Sequence, residues 1–270
     1  MCAVSSERTA EDLLSPLRGD PPCAAIFTDV DGTLAPIVRD PATAGVGEET
    51  RELLASLGER YGVVGCVSGR RAAEARELVG VPGIAYAGNH GLELLLPGDE
   101  KPRLDPSLEG RERHAADYLA ALDGAALDGT GLRREDKGPI QALHWRGAED
   151  ERGAEARARE IAAAAGRTGL DARWGRKVLE LRPAGGGGKD AAVAALLAEA
   201  DINTAVYAGD DRTDLDAFRR LRDLGSRGSL DVAVCVGVVS DEGPAEIAAE
   251  ADLRVDGPEG WIRILRFLAG

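Results

Sequence analysis

The sequence predicts an α/β fold: a doubly wound, mostly parallel Rossmann-like core with an inserted α+β cap domain. Short, uniformly apolar runs alternate with helical periodicity at both ends of the chain, the pattern of buried parallel strands joined by crossover helices. Between the two ends the order changes, and strand-like runs arrive in pairs. Proline and glycine breakers stand at both changes of pattern.

Taken in order, the apolar runs at 24–28, 62–67 and 83–87 read as strands, and Leu53, Leu54, Leu57 and Tyr61 recur at helical spacing to supply a crossover. A helical stretch at 109–122 follows, then strand-like runs at 132–137 and 140–145, a helix at 150–165, and further runs at 170–174 and 177–181. Pro97, Gly98 and Pro102 precede this segment and Pro183 with the glycines at 185–188 follows it, so a hinge is expected at each junction. The βα grammar then resumes with a helix at 189–200, a strand at 204–208, a helix at 214–222, a strand at 232–236 and closing helices at 243–251 and 261–268. The expected division is a core of 1–103 and 183–270 that shares one sheet, and a cap of 104–182.

Lysine and arginine number 33 against 47 aspartate and glutamate, a formal charge of −14. Nucleic acid is therefore not an expected partner, because affinity for it rests on a basic face that neutralises phosphates. A small anionic substrate stays compatible if local cations and a metal reverse the field around it. Cys2, Cys23, Cys66 and Cys235 show neither CxxC spacing nor a neighbouring histidine pair and read as free thiols. The N-terminus lacks the basic start and apolar stretch of a secretion signal, and no segment approaches about 18 consecutive apolar residues. A cytoplasmic protein with no membrane partner is expected.

In doubly wound sheets ligands bind at the carboxyl ends of the strands, so the residues directly after each apolar run carry the chemistry. Asp29 and Asp31 of DVDGTL follow the first run, Ser68, Gly69 and Arg70 of SGR the second, and Asp210, Asp211 and Asp214 of GDDRTD the run at 204–208. Aspartates gathered at one sheet edge repel unless a cation lies among them, and an all-oxygen site suits Mg²⁺. Asp29 then reads as a nucleophile that divides hydrolysis of an inert monoester into formation and breakdown of a mixed anhydride. Asp31, turned by Gly32, reads as the acid for the leaving oxygen and the base for the attacking water. The Ser68 hydroxyl and Lys189 read as ligands of the remaining phosphoryl oxygens. Each residue alone has a plainer reading: DxDG as a turn, Ser68 as a helix cap, Lys189 as a solvated helix residue, Asp211 and Asp214 as first-turn acids. Their common position at strand ends carries the catalytic one.

With these residues assembled, the chain resembles the haloacid dehalogenase-like phosphatases through DVDGTL, SGR, Lys189 and GDD. More narrowly it resembles the trehalose-6-phosphate phosphatases, through GNHGLE at 88–93, EDKG at 135–138, HWR at 144–146, KVLELRP at 177–183 and GDDRTDLDAF at 209–218. The resemblance implies a Mg²⁺-dependent hydrolase of trehalose 6-phosphate with Asp29 as nucleophile, Asp31 as acid/base, and Lys189 with Ser68, Gly69 and Arg70 around the phosphate. It implies Mg²⁺ held by Asp29, the Asp31 carbonyl and Asp210, with Asp214 in support. It also implies disaccharide contacts from Glu135, Lys137, Lys177 and Glu180, joined by Asn89, His90, His144, Arg146 and Arg182.

Read without the family, Glu135, Lys137 and Lys177 are exposed strand charges, and Trp145 and Trp174 are packing aromatics rather than a sugar platform. Asp190 stands where the family usually has glycine, Gly188 where asparagine is common, and Leu215 where a glutamate often follows GDDxTD. A trehalose-like pseudodisaccharide phosphate is therefore the alternative substrate. A phosphomutase and a non-catalytic sugar-phosphate-binding protein are the alternatives in kind. No glycosyltransferase segment accompanies the motifs, so a synthase partner is expected as a separate chain.

Overall fold

The computed structural model describes residues 9–37, 45–122, 127, 129–241 and 243–270. Two compact units emerge, one of Met1–Arg103 with Gly188–Gly270 and one of Leu104–Gly187. The first stretch holds α1 (Ala10–Gly19), β1 (Ala24–Thr28), α2 (Glu48–Arg60), β2 (Val63–Val67), α3 (Ala72–Val79), β3 (Ala85–Gly88), β4 (Glu93–Leu95) and β5 (Arg103–Leu104). The middle holds α4 (His114–Ala121), β6 (Arg133–Lys137), β7 (Ile140–His144), α5 (Glu151–Gly166), β8 (Leu170–Gly175) and β9 (Val178–Pro183). The last holds α6 (Lys189–Leu197), β10 (Thr204–Gly209), α7 (Asp214–Ser226), β11 (Val232–Val239), α8 (Ala245–Glu250), β12 (Leu253–Asp256) and α9 (Gly257–Ala269).

The large sheet runs β12-β11-β10-β1-β2-β3-β4-β5, parallel from β12 to β3, with β4 antiparallel to β3. Every residue of β1 is buried, because successive side chains enter opposite cores. Ala24 and Ile26 join a cluster with Leu14, Leu54, Leu57, Trp261 and Leu265, whereas Ala25 and Phe27 join one with Val193, Leu196, Phe218 and Ile247. Helices on both faces explain why the strand reads apolar throughout rather than alternating. The strand order reverses at β1, between β2 and β10, and this is the crevice where such sheets take ligands.

In the second unit a sheet of order β6-β7-β9-β8 has α4 and α5 on one face, joined through Leu119, Leu143, Ile161, Leu179 and Leu181. Trp145 is buried and meets the half-exposed Trp174 edge-on at 6.1 Å, while the Arg159 guanidinium lies 5.0 Å from the Trp174 ring centroid. Both indoles are thus packing aromatics.

Some elements depart from the sequence reading. The helix expected at 109–122 begins only at His114, since Pro106 starts a 3₁₀ turn and Gly110 is left-handed at φ +71°. The sequence reading did not separate α1, α3, β4 and β12. For α1 the signal is a capping box, in which the Thr9 hydroxyl accepts the Asp12 N–H and the Asp12 carboxylate accepts the Thr9 N–H. β12 is a four-residue edge strand whose Arg254 and Asp256 face solvent. Cys23, Cys66 and Cys235 are free, and Cys2 lies outside the described residues. Among the described residues no helix is long and apolar enough to cross a membrane.

Candidate active site

β1 ends at Thr28, and Asp29 follows it into the crevice. The Asp29 N–H donates to the Ala208 carbonyl of β10 at 2.9 Å, and the Asp29 carbonyl accepts the Thr28 hydroxyl at 2.8 Å. The Trp261 indole N–H donates to that same hydroxyl at 3.0 Å. The peptide around Asp29 is therefore fixed at both ends. Its side chain, 7% exposed, accepts the Lys189 ammonium at 2.8 Å.

Lys189 is itself buried and lies 2.7 Å from Asp214 Oδ1. The Tyr207 hydroxyl donates to the same oxygen at 2.6 Å, and the N–H groups of Asp210 and Asp211 donate to Asp214 Oδ2 at 3.0 and 2.9 Å. With both oxygens so occupied, Asp214 acts as a brace that holds Lys189 and the turn after β10. That turn requires Gly209, since a Cβ there would lie 2.1 Å from Asp214 Cγ. Gly32 is equally constrained, by φ +92° and by Asp210 Oδ2, which would lie 2.2 Å from its Cβ. Thr33 donates its hydroxyl to Asp210 Oδ1 at 2.9 Å.

These residues fit a hard cation. Ligand atoms of Asp29, Asp210 and Asp214 lie within 4.8 Å of one another, and all three residues are buried. Asp29 and Asp210 each keep one oxygen that no donor takes among the described residues. Burial drives the Asp29 carboxyl well above its ordinary range, against the pull of Lys189. Burial, with Asp214 beside it, pushes Asp210 up to about 7. Burial alone would lower Lys189, but the carboxylates of Asp214 and Asp29 hold it above its ordinary value and keep it a cation. Such a site lacks positive charge, and the donor set is all oxygen.

Around the second strand end, the Ser68 N–H donates to the Ala87 carbonyl at 2.8 Å, and the Ser68 hydroxyl accepts the Arg70 N–H at 3.1 Å. Arg70 clamps Asp31 with both arms, Nε to Oδ2 and Nη2 to Oδ1, each at 2.7 Å. The expected phosphate ligand and the expected acid/base thus hold each other in this state. Gly69 admits the His90 ring, whose Cε1 and Nε2 would lie 2.8 Å from a Cβ there. Asn89, expected at the sugar, is fully buried and donates its amide to Glu93 Oε1 at 2.9 Å.

The trehalose-phosphatase family model matches residues 27–255, from the end of β1 into β12, and takes in every residue of this site but Trp261. This chain belongs to the trehalose-phosphatase family. It is 34% identical over 209 residues to a trehalose-phosphate phosphatase of Mycobacterium avium, covering 73% of this chain and 51% of that protein. It is 30% identical over 259 residues to a trehalose 6-phosphate phosphatase of Zea mays, covering 90% and 69%. The first relatives are covered over 65%, 66% and 51% of their own length, so this chain spans between half and two thirds of them. Among solved structures it resembles a trehalose-6-phosphate phosphatase related protein at 25% identity and TM-score 0.68, with 91% of this chain and 96% of that one covered. The C-terminal domain of the Candida albicans trehalose-6-phosphate phosphatase shares the fold at 20% identity and TM-score 0.74, with 97% and 98% covered.

The trehalose-phosphatase motifs of the second unit form their own polar group. Glu135 Oε2 lies 2.7 Å from His144 Nε2 and accepts its N–H, and Lys137 donates to Glu180 at 2.8 Å. The register pairs Glu135 with Ala142, Ala142 with Glu180 and Glu180 with Arg173, so these side chains share the sheet face away from α4 and α5. Arg182 is on the same face and buried. Lys177, left-handed at φ +64°, bonds Glu151 at 2.6 Å, and Arg146 donates to the Arg176 carbonyl at 3.2 Å. These two sit at the strand end, apart from the Lys137–Glu180 pair. Of the family departures, Leu215 is a core residue beside Phe218 and Leu221, and Asp190 turns back over Gly188.

Sequence reasoning missed Thr33, Tyr207, Glu93 and Trp261. Thr33 lay inside DVDGTL and Glu93 closed GNHGLE, so their motifs were a signal; Tyr207 and Trp261 sit in apolar patterns that hide a polar duty.

Proposed function

We propose that this chain is a Mg²⁺-dependent phosphatase that hydrolyses trehalose 6-phosphate through an aspartyl-phosphate on Asp29. The observation that carries the reading is Asp29 itself: buried, fixed through both of its backbone polar groups, and paired with Lys189 at 2.8 Å beside Asp210 and Asp214. Relatives named trehalose-phosphate phosphatases support the choice of substrate. Asp29 and Asp210, with the Asp31 backbone, are the residues assigned to Mg²⁺. When bound, the ion supplies charge neutralisation for the phosphoryl group.

An Asp29 carboxylate oxygen attacks phosphorus, the bond from phosphorus to the sugar oxygen breaks, and that oxygen takes the proton carried by Asp31. Water then attacks the same phosphorus and gives its proton to Asp31 while the bond to Asp29 breaks. Free carboxylate, protonated Asp31 and inorganic phosphate result, so the cycle closes. Arg70 binds both Asp31 oxygens, and Asp31 gives up one of those bonds before it carries a proton. Ser68, Gly69 and Lys189 line the assigned phosphate position, with Arg70 reaching it once released. Glu135, Lys137, Lys177 and Glu180, with His144, Arg146 and Arg182, are assigned to the disaccharide, whose hydroxyls suit carboxylates and cations alike.

The test is phosphate release, with Mg²⁺ present, from trehalose 6-phosphate, sucrose 6-phosphate, glucose 6-phosphate and a trehalose-like pseudodisaccharide phosphate. Preference for trehalose 6-phosphate, abolished in a folded Asp29→Asn variant, is expected. Preference for the monosaccharide defeats the substrate assignment, and full turnover by the variant defeats the nucleophile.

A further inference from the structure

GNHGLE ends in a carboxylate to which no role has been given. Glu93 opens β4, which runs antiparallel to β3, and is 3% exposed. Its Oε2 accepts the Ala72 N–H at 2.9 Å, the first residue of α3 and hence the exit of the loop 68–71. Its Oε1 accepts the Asn89 amide at 2.9 Å and lies 3.9 Å from Arg71 Nε. Asn89 in turn donates its backbone N–H to the Arg70 carbonyl at 2.6 Å, and His90 donates to the Ser68 carbonyl at 2.9 Å. These N–H groups reach the loop only because Asn89 and His90 are left-handed, at φ 51° and 54°, a conformation that costs a side-chain-bearing residue energy and persists where the surroundings impose it. Gly88 completes the contact, since a Cβ there would lie 2.0 Å from the Ala72 nitrogen.

We infer that Glu93 is a positioning residue for the loop 68–71. It ties the loop's exit at Ala72 to Asn89, whose N–H caps the Arg70 carbonyl, and so sets Ser68, Gly69 and Arg70 for a phosphate. The Asn89 amide and the backbone N–H groups of Asn89 and His90 belong to this device. The inference rests on the proposed phosphate chemistry for its consequence but not for its geometry.

A reciprocal exchange tests it. Glu93→Gln keeps the acceptor for Ala72 but sets an amide against the Asn89 amide. Adding Asn89→Asp restores one donor and one acceptor with the polarity reversed, and aspartate tolerates the left-handed backbone. Amide hydrogen exchange of 68–71 is measured together with calorimetric binding of inorganic phosphate in the presence of Mg²⁺. Glu93→Gln is expected to speed exchange in the loop and weaken phosphate by about tenfold, the order of one lost bond to a charged group. The double variant is expected to recover both to within about threefold of the wild type by the same reasoning. Unchanged loop exchange in Glu93→Gln, or a double variant no better than the single one, overturns the inference. If Glu93→Gln does not fold, a folded double variant with wild-type loop exchange supports it, and one that is also unfolded overturns it. A wild type that binds no phosphate defeats the phosphatase reading instead, while loop exchange still decides the role of Glu93.

Discussion

Asp210 offers the most direct test of the buried carboxylate group. Burial, then the neighbouring Asp214, pushes its carboxyl from 3.8 to about 7, while the Thr33 hydroxyl pulls the other way. The folded value thus lies above the unfolded one, and across that interval the folded chain holds more protons. The contribution of Asp210 to metal-free stability is therefore full below about pH 4 and is lost as pH rises through about 7. A separation of about three units is worth about 4 kcal/mol at about 1.4 kcal/mol per unit, an order of magnitude shared with Asp29, which burial also raises. Asp211, held low by Lys189 and Thr213 despite burial, acts in the opposite sense, and its contribution is lost as pH falls. Mg²⁺ favours the ionised carboxylates and should restore the loss at high pH. Urea unfolding of the wild type and Asp210→Asn between about pH 5 and 8, with chelator or with Mg²⁺, measures this. The chelated wild type should weaken toward pH 8 and recover with Mg²⁺, whereas the variant should be flatter and respond little. A chelated wild type that is flat or strengthens over that range, or a variant with the wild-type slope, refutes the reasoning.

Lys189→Met leaves Asp29 and Asp214 buried without their counter-charge, so urea unfolding at about pH 8 should show a loss of about 3–5 kcal/mol that shrinks at lower pH as the carboxyls take protons. A loss independent of pH would point to packing instead. Gly32→Ala drives a methyl into Asp210 at a left-handed position and should cut phosphate release about a hundredfold, with a weakened Mg²⁺ response by thermal shift; near-normal turnover would mean that the turn relaxes freely. Glu180→Ala should raise KM for trehalose 6-phosphate about tenfold while changing p-nitrophenyl phosphate turnover less than about twofold, and equal losses would remove Glu180 from sugar recognition.

The sheet was legible because its strands are buried on both faces: Ala24, Ala25, Ile26 and Phe27 leave no polar position to confuse the pattern. The helices missed are bounded by side-chain caps rather than by an apolar pattern: a local capping box at Thr9 for α1, and for α3 a carboxylate 21 residues downstream. Strand-end logic picked out Asp29, Asp210 and Asp214, which lie together and buried, because each follows an apolar run. It could not find that Asp214 is already filled with donors, since Tyr207 looks in sequence like one more apolar strand residue. Nor could it place Asn89, whose left-handed backbone turns its amide inward to Glu93.

Charge explains how a chain of formal charge −14 could take an anionic substrate at this site. Lys189 is shared between Asp29 and Asp214, and Arg70 is bound to Asp31 through both arms. With Asp210 ionised, these four carboxylates outnumber the two cations, and a phosphate would meet a negative field. A divalent ion removes that excess, and so the same imbalance that weakens the metal-free fold gives the site its demand for a cation. Arg70 then links the remaining steps. Under the proposed chemistry an arriving phosphate competes with Asp31 for the guanidinium, and each bond that Arg70 transfers to the phosphate frees an Asp31 oxygen to hold the proton needed by the leaving group. Substrate arrival and readiness of the acid are thereby coupled through one side chain, which an ion pair with a lysine in place of Arg70 could not do, because a point charge lacks the two-armed fork that grips both oxygens at once.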